Sequence, residues 1–230
     1  MKKQMVVILI SIVLAVSLAY GEDKKVPVCK SKYAFPANCT ACHIPPYGAV
    51  GYPLPSGVTV TGSVASLYIE HIDFQRLRDL LLILQPYQTK KLSIDIFSFG
   101  GSLFDAMAMV ALLREEEKAG KVIEIKARGL IASAGLIVML AGTKDARYID
   151  KDALVMFHEL QSYKFFAIET PSGKEQEAEI YRTIQNTVNN YIVSRSKITM
   201  EELCSKIKNK EFWLKPEDAV KYGFADKVMK

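Results

Sequence analysis

Ser133 and His158 stand 25 residues apart, each inside an apolar, glycine-punctuated stretch, with a Gly100-Gly101 pair upstream. The local strings are Phe97-Ser98-Phe99-Gly100-Gly101-Ser102, Gly129-Leu130-Ile131-Ala132-Ser133-Ala134-Gly135 and Leu154-Val155-Met156-Phe157-His158-Glu159. Together they hold the ingredients of acyl transfer: a hydroxyl nucleophile, an imidazole base and backbone donors for an oxyanion. Ser133 follows an expected strand and begins an expected helix. Its small neighbours Ala132, Ala134 and Gly135 would let a carbonyl approach the hydroxyl. The string is not a full Gly-x-Ser-x-Gly elbow, because Ile131 stands where the first glycine would be. The N–H groups near Gly100 and Gly101, with that of Ala134, would form the oxyanion hole, and His158 closes an apolar strand within reach of Ser133. Each string alone also has a plain structural reading, as a helix cap beside alanines or as a core histidine.

The elements that must position these residues can be read from periodicity. Val58 to Gly62 and Leu92 to Phe97 read as strands, as do Lys121 to Ala127, Ala146 to Ile149 and Leu154 to Phe157. Phe74 to Leu84, Leu103 to Ala119, Ser133 to Leu140, Lys174 to Ser196 and Pro216 to Tyr222 read as helices, several of them stopped by glycine. Strands alternating with helices imply parallel βαβ units, so the class is α/β. His71, ahead of a helix, reads as a cap or a surface residue.

The chain has 230 residues, half of them apolar and about a quarter charged, the balance of an ordinary globular domain with short extras. Lys2-Lys3, the apolar run Met5 to Leu18 and the small residues around Ala19-Tyr20-Gly21 read as a secretory signal over residues 1–21. An uncleaved membrane anchor is the other reading, and either one exports the rest of the chain to a periplasmic or other extracytoplasmic space. The formal charge of +5 falls to +3 without Lys2 and Lys3, too little to argue for nucleic acid. Residues 22–57 form a Cys/Pro-rich leader with three of the four cysteines, and the main domain spans 58–230. Export permits disulfides among Cys29, Cys39, Cys42 and Cys204, with three pairings open. Cys39-Thr40-Ala41-Cys42-His43 also fits covalent haem c attachment, the cysteines as thioethers and His43 as iron ligand. A Cys39–Cys42 disulfide, a bond to Cys29, or a Cys/His metal site with Cys29 stay open beside it.

Four blocks taken together resemble a known family. Lys91 to Gly101, Ile131 to Gly142, Tyr148 to His158 and the tail Phe212 to Asp226 are similar to the Clp protease proteolytic subunit, within the Clp/crotonase superfamily. The resemblance covers about residues 58–229. It implies a ClpP/crotonase-like spiral of ββα units, with a protruding handle helix over Lys174 to Ser196 through which subunits form a homo-oligomer. It also implies Ser133 as nucleophile, His158 as general base and oxyanion donors at Gly100, Gly101 and Ala134.

Three departures from the family pattern bear on function. The Ser-Pro-Gly-Gly turn is Ser98-Phe99-Gly100-Gly101 here, which keeps both glycines. The position of the family's third triad residue, an aspartate, falls on Lys206 or Ile207 depending on the flank aligned, and neither can orient an imidazole. Asn209 is the nearest acceptor, and Glu159 beside the histidine is a second. The third departure is export, since no ATP is present outside the cytosol to drive an unfoldase partner. Signal peptide peptidase A, an exported relative in the superfamily, uses a Ser-Lys pair, whereas the His158 string speaks for Ser-His. The expected function is therefore an exported, ATP-independent serine endopeptidase acting on peptides or unfolded protein segments and needing no cofactor for catalysis. Two alternatives stand beside it. One is a Clp-fold scaffold with weak or no activity, and the other is a redox or sensor protein bearing haem c at Cys39, Cys42 and His43.

Overall fold

The computed structural model describes residues 54–161 and 171–229. The expected secretory segment and the leader cysteines therefore lie outside the described residues. A mixed eight-stranded sheet runs in the order β1-β2-β3-β4-β5-β8, with β6 and β7 branching from β4. The strands are β1 (Val58–Thr61), β2 (Val64–Ile69), β3 (Lys91–Ser98), β4 (Val122–Ala132), β5 (Arg147–Ile149), β6 (Leu154–Phe157), β7 (Phe212–Leu214) and β8 (Lys227–Val228). β1 and β2 form an antiparallel hairpin, and β2, β3, β4 and β5 then run parallel. The helices are α1 (Phe74–Leu84), α2 (Leu103–Lys118), α3 (Ala134–Met139), α4 (Pro171–Ser194), α5 (Met200–Ile207) and α6 (Pro216–Lys221).

β3 and β4 alternate so that Leu92, Ile94, Ile96, Ile123, Ile125 and Ala127 are all fully buried beneath the helices. α1 packs on α2, and α2 on α3, over this apolar face. The opposite face of the same strands is ionic. Glu124 accepts from Lys91 Nζ at 2.6 Å and from Ser93 Oγ at 2.9 Å, and Lys126 Nζ lies 3.1 Å from its second oxygen. Burial alone would raise the Glu124 carboxyl, but those donors outweigh it and hold the group below its ordinary value.

β4 runs to Ala132, five residues past the expected end, and it carries two partners in succession. Ile125 to Ala127 pair with β5, whereas Leu130 to Ala132 pair with β6. Gly129 marks the change, at φ 57°, a conformation glycine enters freely, and an added Cβ would crowd the Phe97 ring at 3.2 Å. The β3 register shifts at the same level, between Ile96 and Ser98. The strand thus leaves one layer and enters the next, which gives a turn of a ββα spiral and puts the ends of β3, β4 and β6 side by side.

The short strands β7 and β8 were not among the elements expected, and neither were β2 and α5. β2 shows the alternation of a half-buried strand, with Ala65, Leu67 and Ile69 inside. α5 begins at a Thr199 cap whose hydroxyl accepts from the Glu202 N–H at 3.2 Å. His71 is exposed, and the cap of α1 is Asp73, whose carboxylate accepts from the Arg76 N–H at 3.0 Å.

Candidate active site

Three parallel strands deliver the expected residues to one cavity at their carboxyl ends. β3 ends at Ser98 and leads into Gly100-Gly101, β4 ends at Ala132 and leads into Ser133, and β6 ends at Phe157 and leads into His158. Ser98 pairs with Ile131 and Ala132 with Met156, so residues distant in sequence are set side by side by strand register. The Ser133 N–H donates to the Met156 carbonyl at 2.8 Å, tying the serine to the strand that carries the histidine.

Ser133 stands at the turn from β4 to α3 with φ 52° and ψ −120°. Few non-glycine residues occupy that region, and a sharp strand-to-helix turn of this kind lifts a side chain clear of the sheet. The close approach of Gly100 makes room for it. A Cβ on Gly100 would lie 2.8 Å from Ser133 Cβ and 3.2 Å from the Ala132 carbonyl oxygen.

Ser133, Ala134, Gly101 and His158 share the wall of a cavity of about 410 Å³ whose other walls include Leu103, Phe104, Ile137, Phe157, Tyr181 and Val188. No hydrogen bond joins the Ser133 hydroxyl to the imidazole, a common condition of sites without substrate. The ring is nonetheless oriented. His158 Nδ1 lies 2.5 Å from the Glu159 carbonyl oxygen. A carbonyl can only accept, so Nδ1 carries the proton and Nε2 is left with the lone pair that a general base needs.

The expected oxyanion donors divide. The Gly100 N–H donates to Ser98 Oγ at 3.1 Å, and Gly100 packs against Ser133. Gly101 sits outside any element and Ala134 is the first residue of α3, where no intrahelical partner exists for its N–H. Both residues line the cavity beside Ser133. α3 is held from behind: the buried Tyr191 hydroxyl donates to the Ile137 carbonyl at 3.2 Å, and Arg195 donates to the carbonyls of Leu140 and Gly142. Burial pushes the Tyr191 phenol up to about 12.

The third partner differs from every side chain named in advance. Asn209 meets Glu159, not His158, and does so through its backbone: its N–H donates to Glu159 Oε2 at 3.0 Å. Lys206 places its ammonium 5.5 Å over the Phe212 ring, and Ile207 is buried in the core. Sequence reasoning also passed over Gln185, whose Oε1 accepts from the Leu160 N–H at 2.7 Å beside the histidine. The signal was an amide inside the otherwise apolar stripe of α4. Cys39, Cys42 and His43 lie outside the described residues, and among the described residues no cluster of three or more metal-ligating side chains occurs.

The family model described as Clp protease matches residues 65–230. The chain belongs to the Clp protease family. It is similar to proteolytic subunit 2 of the ATP-dependent Clp protease of Tropheryma whipplei, at 27% identity over 138 residues, which is 58% of this chain and 73% of that protein. It is also similar to subunit 2 of Treponema denticola, at 28% over 154 residues, covering 66% of this chain and 73% of that one. Among solved structures, a ClpP1 point mutant from Listeria monocytogenes superposes with a TM-score of 0.60 at 21% identity, covering 72% of this chain and 91% of that one. That likeness shows the ClpP/crotonase-like fold. Membership in a Clp protease family makes the protein a peptidase by descent.

Proposed function

We propose that this Clp-family protein is an exported serine endopeptidase that cleaves peptides or unfolded segments without ATP. The observation that carries the reading is Ser133 at a strained strand-to-helix turn, on the wall of the cavity that also holds an Nδ1-protonated His158. With a peptide carbonyl in the cavity, Ser133 Oγ attacks the carbon while His158 Nε2 takes its proton. The N–H groups of Gly101 and Ala134 receive the oxyanion. Collapse breaks the C–N bond, and the imidazolium gives its proton to the departing amine, leaving an acyl-enzyme. Water then attacks the acyl carbon as it loses a proton to Nε2; the bond to Ser133 Oγ breaks, the imidazolium returns that proton to Oγ, and the acid leaves. No cofactor takes part in these steps, and no step involves Cys39, Cys42 or His43.

Orientation of the imidazole by a neutral carbonyl, in place of a carboxylate, favours the imidazolium less, so turnover is expected to be slow. Homo-oligomeric assembly fits the family, and in this reading α4 is its contact element. The reading is tested with a fluorogenic peptide and a permanently unfolded protein, each with and without ATP, using wild type and Ser133→Ala. Cleavage by wild type that is indifferent to ATP and lost in Ser133→Ala is the expected result. Equal turnover by both proteins would remove Ser133 from the chemistry, and no turnover by either would favour the scaffold reading.

A further inference from the structure

The inward stripe of α4 is apolar except at two positions. Tyr181, Ile184 and Val188 line the cavity, and Gln185 and Asn189 fall on the same helical face. Asn189 is 2% exposed. An amide so placed is costly unless its polar atoms find partners. Here they form a directed chain. The Leu160 N–H donates to Gln185 Oε1 at 2.7 Å, Gln185 Nε2 donates to Asn189 Oδ1 at 2.8 Å, and Asn189 Nδ2 donates to Cys204 Sγ at 3.6 Å. The backbone N–H at its head can only donate, and that sets the orientation of both amides.

The head of the chain is also the group that orients the histidine. The Leu160 N–H and the Glu159 carbonyl belong to one peptide unit, and that unit is a rigid plane. Fixing its N–H fixes the direction of its carbonyl, which accepts the hydrogen bond from His158 Nδ1–H. From the other side, the Asn209 N–H holds the Glu159 carboxylate. We infer that Gln185, backed by Asn189, is a positioning residue for His158, acting through the Glu159–Leu160 peptide in the role that a side-chain carboxylate would otherwise fill. The inference rests on the Ser-His reading above. Gln185 acts without touching the reacting atoms.

Three full-length variants test it. Gln185→Met keeps the shape but removes the acceptor. Gln185→Glu keeps an acceptor for the Leu160 N–H, and the Asn189 amide can rotate to donate to it. Asn189→Leu removes the backing alone. With a fluorogenic peptide, Gln185→Met is expected to lower kcat about tenfold with KM little changed, the signature of a misoriented base rather than weaker binding. Gln185→Glu should restore most of the loss, and Asn189→Leu should fall between the two. Fluorophosphonate labelling of Ser133, normalised to folded protein by thermal melt, should follow the same order. Gln185→Met with wild-type kcat, or Gln185→Glu as impaired as Gln185→Met, would overturn the positioning role while leaving the Ser-His reading intact. A wild type that neither labels nor turns over would overturn both.

Discussion

Ser133 holds a backbone conformation, φ 52° and ψ −120°, that a residue with a Cβ enters at a cost of about 1–3 kcal/mol. Surrounding structure maintains it: the strand bond from the Ser133 N–H to the Met156 carbonyl on one side, and Gly100 packed against the Cβ on the other. Two substitutions separate strain from chemistry. Ser133→Gly should raise stability in chemical denaturation by about 1 kcal/mol, since glycine accepts the conformation freely, while abolishing labelling by a serine-directed probe. Gly100→Ala should lower both stability and activity. Its Cβ would meet Ser133 at 2.8 Å and its own φ of 104° is unfavourable for alanine, so the serine must shift. A shift of that kind costs at least about tenfold in kcat, read in a peptide assay. That Ser133 and His158 sit at the ends of neighbouring strands was legible in the sequence because small residues, an apolar strand and a following helix travel with them. The partner of the imidazole was not, because a main-chain carbonyl has no side-chain signature. Asn209 and Glu159 carry acceptor side chains that the sequence does show, but in the structure the Asn209 backbone N–H donates to the Glu159 carboxylate.

At the scale of elements, the site depends on the ends of β3, β4 and β6 staying in register, and the far end of β5 is fixed by a buried ion pair. Arg147 and Asp226 are nearly buried, joined at 2.6 Å and 3.1 Å, and the Arg147 N–H donates to the same carboxylate at 2.9 Å. Arg147 also donates to the Arg195 carbonyl at 2.7 Å, linking β5 to the end of α4. Burial alone would raise the Asp226 carboxyl, and the Arg147 hydrogen bonds outweigh it and hold the group below its ordinary range. A carboxyl lowered on folding contributes stability at pH above its unfolded value, near about 3.9, and that contribution is lost as pH falls through the folded value. Unfolding free energies measured by denaturant titration between about pH 2 and 7 should thus fall less steeply at the acid end in Asp226→Asn. At neutral pH, Asp226→Ala should cost about 3–5 kcal/mol, because it strands a buried guanidinium. The longer elements could be read from periodicity, and the Phe74–Leu84 helix and the Leu154–Phe157 strand have the expected bounds. The strands at 212–214 and 227–228 are only three and two residues long, too short for a period to show, and they exist by pairing with β6 and β5.

For the whole molecule, the βαβ alternation was enough to indicate an α/β class, while the branch at Gly129 that turns the sheet into a spiral was not. The branch depends on which strand β4 pairs with after Gly129, and pairing is a tertiary choice. It also gives the account its function, because it alone gathers the ends of three strands around one cavity. The Clp family match over residues 65–230 makes the domain a peptidase by descent, and the chemistry of the cavity argues for serine catalysis. The most direct test is the intact mass of the purified full-length protein after treatment with a fluorophosphonate, recorded beside Ser133→Ala and followed by peptide mapping. One adduct on wild type, mapped to Ser133, and none on the variant is the expected result. An unmodified wild type, or an adduct that persists in Ser133→Ala, would contradict it.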